Sequence, residues 1–305
     1  MILSVGEILV DMIGCERDGV FCYERKAGGA PFNVACAVKK FGGSSAFAGS
    51  VGDDLIGDFL KKFAASRKLD GLCISTEMEH NTTLAFVDID ASGERSFCFY
   101  RKSTADYRLP EIDDALFEKA NIIHVGSLML SEEVGRKYAD ELMKRARYGG
   151  KTVSFDVNYR TDIFRDTKSA IALYKRYIER ADIVKLSEDE YEIFGAEYVN
   201  GLKDKLICIT LGSRGSKWKF GGREGSANTI SVKPIDTTGA GDAFYAGLLK
   251  KLDGVDKSGY TDEFLNGALR YANVCGALNT LGHGAIDSLP DAATVDKYFN
   301  ETQSR

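Results

Sequence analysis

The sequence predicts an α/β fold with a mostly parallel central β-sheet and a second, smaller β-sheet beside it. The main sheet is predicted by the alternation of short apolar stretches with helical stretches from residue 121 onward, because crossover helices join parallel strands. The smaller sheet is predicted by residues 12–26 and 82–106, where apolar and polar residues alternate as in antiparallel strands. One α/β unit of 305 residues is ordinary, so we expect a single domain over residues 1–305.

The charge and cysteine content indicate a reduced compartment and a small ligand. Forty basic and 45 acidic residues give a net charge of −5 without a block of like charge, which argues against a nucleic-acid surface. Seven scattered cysteines without a C-x-x-C pair are typical of reduced thiols, and three histidines without ligand spacing argue against a zinc site.

The N-terminus has no feature of a secreted protein. It lacks a basic region and contains an early acid, Glu7, which argues against a signal peptide. No uninterrupted apolar run of about 18 residues occurs, so no membrane span is predicted. We therefore expect a cytoplasmic protein without a membrane partner.

The first strand and the first glycine turn bring polar groups to one edge of the predicted sheet. Residues 2–5 form a buried strand, and Asp11 follows at the far end of the next apolar stretch, as a ligand residue or as a turn aspartate. Gly28 and Gly29 allow close backbone approach, and Asn33 offers a donor and an acceptor just before a helix over residues 34–41. The alternative is a turn that only ends one element and begins the next.

The predicted small sheet contains a hairpin over residues 83–101 with its turn at 91–94. Its apolar face would combine aromatic residues of both segments, or the hairpin would simply pack on its own domain. Arg101 follows the second strand and is either a ligand residue with a fixed donor fork or a solvated surface arginine. The residues predicted for the apolar face are Val20, Phe21, Tyr23, Phe97 and Phe99.

The middle of the chain continues the alternation. His124 lies in an apolar strand and is predicted to be a core histidine rather than a catalyst. An apolar strand that begins at Leu206 leads into a glycine turn, and neither a Walker nor a dinucleotide glycine motif precedes a helix, so an NAD-dependent dehydrogenase is disfavoured. The elements predicted before that turn are strand 122–125, helix 132–147, strand 152–156, helix 167–180 and strand 183–186.

A late glycine turn predicts an anion site at the beginning of a helix. Residues 239–241 read Gly-Ala-Gly and lead into apolar residues at helical spacing over 243–252. Backbone N–H groups of such a turn converge on an anion, assisted by the helix dipole, and Asp242 stands beside them. The alternative is a helix start that Asp242 only caps.

Two stretches in the chain resemble the signatures of the ribokinase-like (PfkB) carbohydrate kinases. These are 28–35, followed by Gly42 and Gly52, and 236–247, and the resemblance extends over about residues 2 to 298. It implies a ribokinase-like three-layer α/β/α fold, with the small sheet as a lid over the sugar and often a dimer surface. It also implies that Asp242 is the base and that the Gly239, Ala240 and Gly241 amides are the anion hole.

Two further stretches resemble fructokinases. Residues 99–106 match the F-Y-R-x-x-x-A-D pattern of fructokinases, and residues 156–160 match the D-x-N-x-R pattern of fructokinases and 2-keto-3-deoxygluconate kinases. The resemblance implies an ATP-dependent kinase that phosphorylates D-fructose at O6 with Mg²⁺. Kinases of 2-keto-3-deoxygluconate or ribose remain alternatives, and a sugar-binding protein without turnover is the alternative from another class.

The resemblance also implies three groups of ligand residues. The sugar residues are Asp11, Gly28, Gly29, Asn33, Phe99, Arg101 and Arg160. The nucleotide residues are Ser187, Glu190, Thr210, Gly212, Gly215 and Asn273, where Ser187 departs from the asparagine of the family pattern. A potassium ion would be held by carbonyl groups of Asp236, Thr238, Asn279, Gly282, Gly284 and Ser288.

Overall fold

The computed structural model describes residues 1–89, 95–164 and 166–303. The turn predicted at 91–94 and the side chain of Phe97 lie outside the described residues. The strands are β1 (Ile2–Val5), β2 (Leu9–Arg17), β3 (Val20–Gly28), β4 (Ser45–Gly52), β5 (Gly71–Glu77), β6 (Leu84–Ile89), β7 (Arg95–Tyr100), β8 (Ile122–Val125), β9 (Thr152–Asp156), β10 (Ile183–Ser187), β11 (Leu206–Thr210), β12 (Ser216–Phe220) and β13 (Arg223–Ala227).

The helices lie between these strands. They are α1 (Ala30–Lys40), α2 (Leu55–Ser66), α3 (Asp114–Glu118), α4 (Glu133–Tyr148), α5 (Thr167–Ile178), α6 (Glu188–Phe194), α7 (Ala196–Gly201), α8 (Ala240–Leu252), α9 (Asp262–Asn279) and α10 (Ala292–Gln303). Among the described residues, none of these helices is both long enough and apolar enough to cross a membrane.

The main sheet has the strand order β13-β12-β11-β10-β9-β8-β1-β4-β5. All neighbours from β11 to β5 pair parallel, and β12 and β13 add an antiparallel edge. Its central strands are buried along their whole length, as expected of a sheet covered on both faces. One core joins this sheet to α1, α8 and α9, and the other joins it to α4 and α5, which confirms the predicted three-layer fold.

The second sheet has the order β3-β2-β6-β7 and contains both predicted segments. Its β2–β3 and β6–β7 pairs are antiparallel, as predicted, but β2 and β6 pair parallel. The alternation of apolar and polar residues shows which side chains share a face of a strand, but not which strand lies beside it or in which direction. Phe21 and Tyr23 contact each other, and Tyr23 contacts Phe86. Phe21 remains 61% exposed and Tyr100 63% exposed, so the sheet presents an apolar surface to solvent.

The predicted position of Asp11 requires a correction. It was expected beyond the carboxyl end of a main-sheet strand, but it lies within β2, on the second sheet. The reason is that β1 ends at Val5, after which the chain enters the second sheet. His124, in contrast, is buried between Ser154 and Tyr245, and burial lowers its pKa to about 4, which confirms that it is a core histidine.

Candidate active site

A cavity of about 380 Å³ opens at the carboxyl ends of β1, β10 and β11, between the main sheet and β2. The beginnings of α1 and α8 meet there, because both helices follow the glycine turns found in the sequence. The predicted residues in its wall are Asp11, Gly29, Asn33, Phe99, Arg160, Ser187, Glu190, Thr210, Thr238, Gly239, Gly241 and Asp242.

A larger cleft of about 1380 Å³ lies on the other side of Phe99. Its wall carries charges of both signs, such as Lys102 and Asp166, and lacks Asn33 and Asp242 among the residues that the structure describes. The smaller cavity is therefore the candidate active site.

Asp242 lies in the first turn of α8 and is fixed by α1. The Asn33 side-chain amide donates a hydrogen bond to its Oδ2 at 2.8 Å. Burial raises the pKa of Asp242 to about 6, and the charge of Asp156 adds to this, whereas the Asn33 hydrogen bond and Lys185 act in the opposite direction. The carboxyl is therefore ionised near neutral pH and still basic enough to accept a proton.

The glycine turn before α8 has the geometry of an anion site. Gly239 has φ +73°, in the left-handed region, and a Cβ there would lie 2.7 Å from Ala285 Cα, so only glycine fits. The Ala240 N–H donates to the Thr237 carbonyl at 3.2 Å, which folds the turn tightly onto the helix. The next two amides, those of Gly241 and Asp242, have no acceptor within the helix, and both residues line the cavity.

Lys185 is a functional candidate that the motif analysis missed. Its Nζ donates to both carboxylate oxygens of Asp156, at 2.9 Å each, and both side chains are buried. A Cβ built on Gly241 would lie 3.5 Å from this Nζ, so the ammonium group is a direct neighbour of the glycine turn. A lysine inside the apolar strand Ile-Val-Lys-Leu is unusual, and this is the signal that could have identified it.

The wall of the cavity also carries buried polar atoms without a hydrogen-bond partner in the described structure. They are both carboxylate oxygens of Glu7, Oδ1 of Asn33 and Oγ1 of Thr238. Buried polar groups are normally paired, so these atoms indicate a polyhydroxylated ligand. Asp11 lies against Gly28, where a Cβ would come within 2.3 Å of Asp11 Oδ2; Gly28 thus makes room for this carboxylate without lining the cavity itself.

Arg101 occupies a different position from its neighbours in the motif. It is only 7% exposed, so the alternative of a solvated surface arginine is wrong. Its guanidinium donates to Asp106 at 2.7 Å, to the Tyr107 hydroxyl at 2.7 Å and to the Leu128 carbonyl at 2.8 Å. These bonds leave Arg101 outside the wall of the candidate active site and in the wall of the larger cleft, whereas Phe99 of β7 lines both.

The nucleotide-side residues divide into two groups. Ser187 accepts from the Glu190 N–H at 3.1 Å, and Glu190 accepts from the Ser187 and Tyr159 N–H groups at 2.7 and 2.6 Å. Serine thus gives α6 a capping box, and Glu190 fixes the loop that carries Arg160. Gly212, Gly215 and Asn273 lie outside the cavity wall; Asn273 donates to the Ala227 carbonyl at 2.9 Å.

The predicted potassium residues converge through one chain of hydrogen bonds. The Asn279 side chain donates to the Thr238 carbonyl at 3.1 Å, and the single proton of the Ser288 hydroxyl is within reach of two acceptors, Asn279 Oδ1 at 2.9 Å and the Gly284 carbonyl. Asp236 accepts from the Thr238 and Gly284 N–H groups at 2.7 and 2.9 Å. The loop that contains Gly282 is thereby fixed against the glycine turn.

Comparison with known proteins places this geometry in a family. Residues 1–292 match the pfkB family carbohydrate kinases. Probable fructokinase-5 of Arabidopsis thaliana is 38% identical over 97% of this chain and 96% of its own length. The structure of fructokinase with bound ATP from Xylella fastidiosa has a TM-score of 0.92 and 31% identity, covering 100% of this chain and 99% of that one. Fructokinase from Vibrio cholerae O395, solved with fructose, ADP and calcium ion, has a TM-score of 0.86 and 31% identity over 98% of both chains. This chain therefore belongs to the pfkB family of carbohydrate kinases.

Proposed function

We propose that this protein is an ATP-dependent fructokinase that converts D-fructose and ATP into fructose 6-phosphate and ADP. The observation that carries the proposal is the position of Asp242, whose carboxylate is held by Asn33 between unpaired polar atoms on one side and a glycine turn with a buried lysine on the other. A sugar fits the first side and a phosphoryl group the second. The fructokinase relatives support fructose as the sugar.

Asp242 acts as the general base in this proposal. It accepts the proton of the sugar 6-hydroxyl while that oxygen forms a bond to the terminal phosphorus of ATP and the bond to the ADP oxygen breaks. A base with a pKa of about 6 is ionised at the working pH and still binds a proton strongly enough to take it from the hydroxyl. Asn33 holds Oδ2, which leaves Oδ1 to receive the proton.

The transferred phosphoryl group is stabilised by charge and by position. The Gly239 and Gly241 amides and the ammonium of Lys185 lie beside Asp242, and Arg160 lines the same cavity. The Ala240 amide between them donates to the Thr237 carbonyl. Phosphoryl transfer depends mainly on such positioning and charge stabilisation. Asp156 holds the Lys185 side chain in place through two hydrogen bonds.

In the proposal, Mg²⁺ enters with the nucleotide, whereas K⁺ is held by the protein. No group of three or more His, Cys, Asp and Glu side chains that could hold a metal occurs in the part of the chain described, so Mg²⁺ would be carried mainly by the nucleotide phosphates and water. A K⁺ ion beside the anion hole would be held by carbonyl groups of the turn at Thr238 and of the loop at Gly284, which the Asn279 and Ser288 side chains connect by hydrogen bonds. Equal turnover in sodium and potassium buffers would reject the potassium site.

The substrate is tested by ATP turnover with fructose, ribose, 2-keto-3-deoxygluconate and a nucleoside. We expect robust turnover with fructose and at least about tenfold lower kcat/KM for the others, since a hydroxyl-binding site strongly rejects sugars that leave its polar groups unpaired. Robust activity on ribose or ketodeoxygluconate without activity on fructose would overturn the assignment. Binding of fructose without any turnover would favour the sugar-binding alternative, although the presence of Asp242 argues against it.

The second sheet is proposed to be the lid over the sugar and the surface of a homodimer. β2 carries Asp11 and β7 carries Phe99 into the cavity wall, so the sheet closes one side of the sugar site. Its exposed Phe21, Tyr23 and Tyr100 lie on one face, joined through Phe86 by ring contacts, and form the apolar surface available to a second copy. Light scattering should give twice the chain mass, and replacement of Phe21 by aspartate should give a monomer; a monomeric wild type would reject the dimer.

A cytoplasmic location is in keeping with seven free cysteines.

A further inference from the structure

Glu7 contributes two of the unpaired polar atoms of the cavity wall, but the proposed mechanism gives it no contact with the sugar. It is 1% exposed, and neither carboxylate oxygen has a hydrogen-bond partner in the structure described. A buried carboxylate without partners is strongly destabilising, so a sequence that retains one usually gives it a ligand. In the sequence Glu7 is visible only as an acid that argues against a signal peptide.

The position of Glu7 is fixed from two sides. Its own carbonyl oxygen packs against Gly29, where a Cβ would come within 2.4 Å, and its Oε2 packs against Gly126, where a Cβ would come within 2.9 Å. The side chain therefore lies at the carboxyl ends of β1 and β8, beside the glycine turn that carries Asn33. Asn33 Oδ1 is the next unpaired acceptor along this wall.

The groups around Glu7 shift its pKa in opposite directions. Burial raises the pKa of Glu7 to about 7, Arg101 and the backbone N–H of Glu7 itself act in the opposite direction, and the negative charges of Asp106 and Asp242 add smaller increases. Arg101 directs its Nε and Nη1 groups to Asp106, Tyr107 and Leu128, and no hydrogen bond joins the guanidinium to Glu7. Glu7 thus has a positive charge nearby but no side-chain hydrogen bond among the described residues, and a ligand hydroxyl can supply one.

We propose that Glu7 is an additional ligand of the sugar, accepting a hydrogen bond from a hydroxyl other than the one that is phosphorylated. The inference rests on the proposed sugar-kinase function and specifies how the sugar is oriented. With Asp242 at the reacting hydroxyl and Glu7 on the floor of the same cavity, the sugar is held at two points. Glu7 is therefore a determinant of which sugars fit.

The test combines Glu7→Gln with sugars that each lack one hydroxyl. With fructose, Glu7→Gln should raise KM by about 10- to 100-fold, the range expected for a hydrogen bond to a charged group, and leave the KM for ATP unchanged. With 1-, 3- and 4-deoxyfructose, one analogue should show no further loss in Glu7→Gln, because it lacks the donor that Glu7 accepts. Glu133→Gln, which changes an exposed carboxylate, is the matched control.

A stability measurement separates this role from a structural one. Since the raised pKa means that the ionised carboxyl destabilises the folded protein above pH 7, Glu7→Gln should keep or increase Tm at pH 8. A lower Tm together with equal losses for all sugars would identify Glu7 as a structural group and overturn the proposal, as would a fructose KM within twofold of wild type. If wild type turns over another sugar instead of fructose, the fructokinase assignment fails, and the deoxy analogues of that sugar decide the role of Glu7.

Discussion

Replacing Asp242 by asparagine is expected to lower kcat by about 100- to 10,000-fold, the contribution of a positioned general base. Asparagine keeps the shape of the side chain but cannot take the hydroxyl proton. The KM for fructose should change little, because Asn33 and the other sugar contacts remain. Steady-state kinetics with a coupled ADP assay measures both constants, and near-wild-type kcat in Asp242→Asn would remove the base from the mechanism.

The pH dependence of kcat/KM tests the role of Asp242 independently. Because Asp242 must be ionised to act, kcat/KM of the wild type should fall as the pH decreases through about 6. The free energy of unfolding of Asp242→Asn should exceed that of the wild type at pH 8, since a carboxyl with a raised pKa is destabilising when ionised. Asp58→Asn changes an exposed carboxylate on α2 and should alter neither quantity.

Replacing Lys185 by methionine is expected to have the second large effect. The loss of a charged donor beside the phosphoryl site should lower kcat by about 100- to 1,000-fold, comparable to the loss of an oxyanion-hole donor. The free energy of unfolding should fall by about 3–5 kcal/mol, because Asp156 is left as a buried charge without its partner. Lys137→Met, which removes an exposed lysine, should change neither.

A double variant separates the two consequences. Lys185→Met with Asp156→Val removes both buried charges and should recover most of the lost stability, since an apolar pair of similar volume replaces an ion pair at little net free energy. Turnover should remain low, because the phosphoryl group still lacks its cation. Recovery of kcat together with stability would show that Lys185 acts only through folding.

The sequence predicted the main sheet well because its strands are apolar throughout and its helices are amphipathic. Strands 122–125 and 152–156 have their predicted bounds. Helix beginnings were less accurate: α1 begins at Ala30 and not at Val34, because Pro31 is accommodated in a first helical turn. Similarly, α8 begins at Ala240, directly after the left-handed Gly239.

The candidate site was predictable only where residues lie in signatures. Asn33 and Asp242 belong to the two glycine motifs and do meet, at 2.8 Å. Glu7 follows β1 outside any motif, and its importance appears only when its burial and missing partners are known. Lys185 is visible in the sequence only as a lysine inside an apolar strand, and its role needs the buried ion pair with Asp156. Arg101 belongs to a motif but does not line the candidate active site, because Asp106 holds its guanidinium outside the wall. The motif alone does not indicate this position.

The most direct test of the central claim is a crystal structure with fructose and a non-hydrolysable ATP analogue. The account predicts the terminal phosphate within about 3 Å of the first-turn amides of α8 and of Lys185 Nζ, with O6 of fructose in hydrogen-bond reach of Asp242. A terminal phosphate bound elsewhere, with Asp242 distant from every sugar hydroxyl, would contradict it.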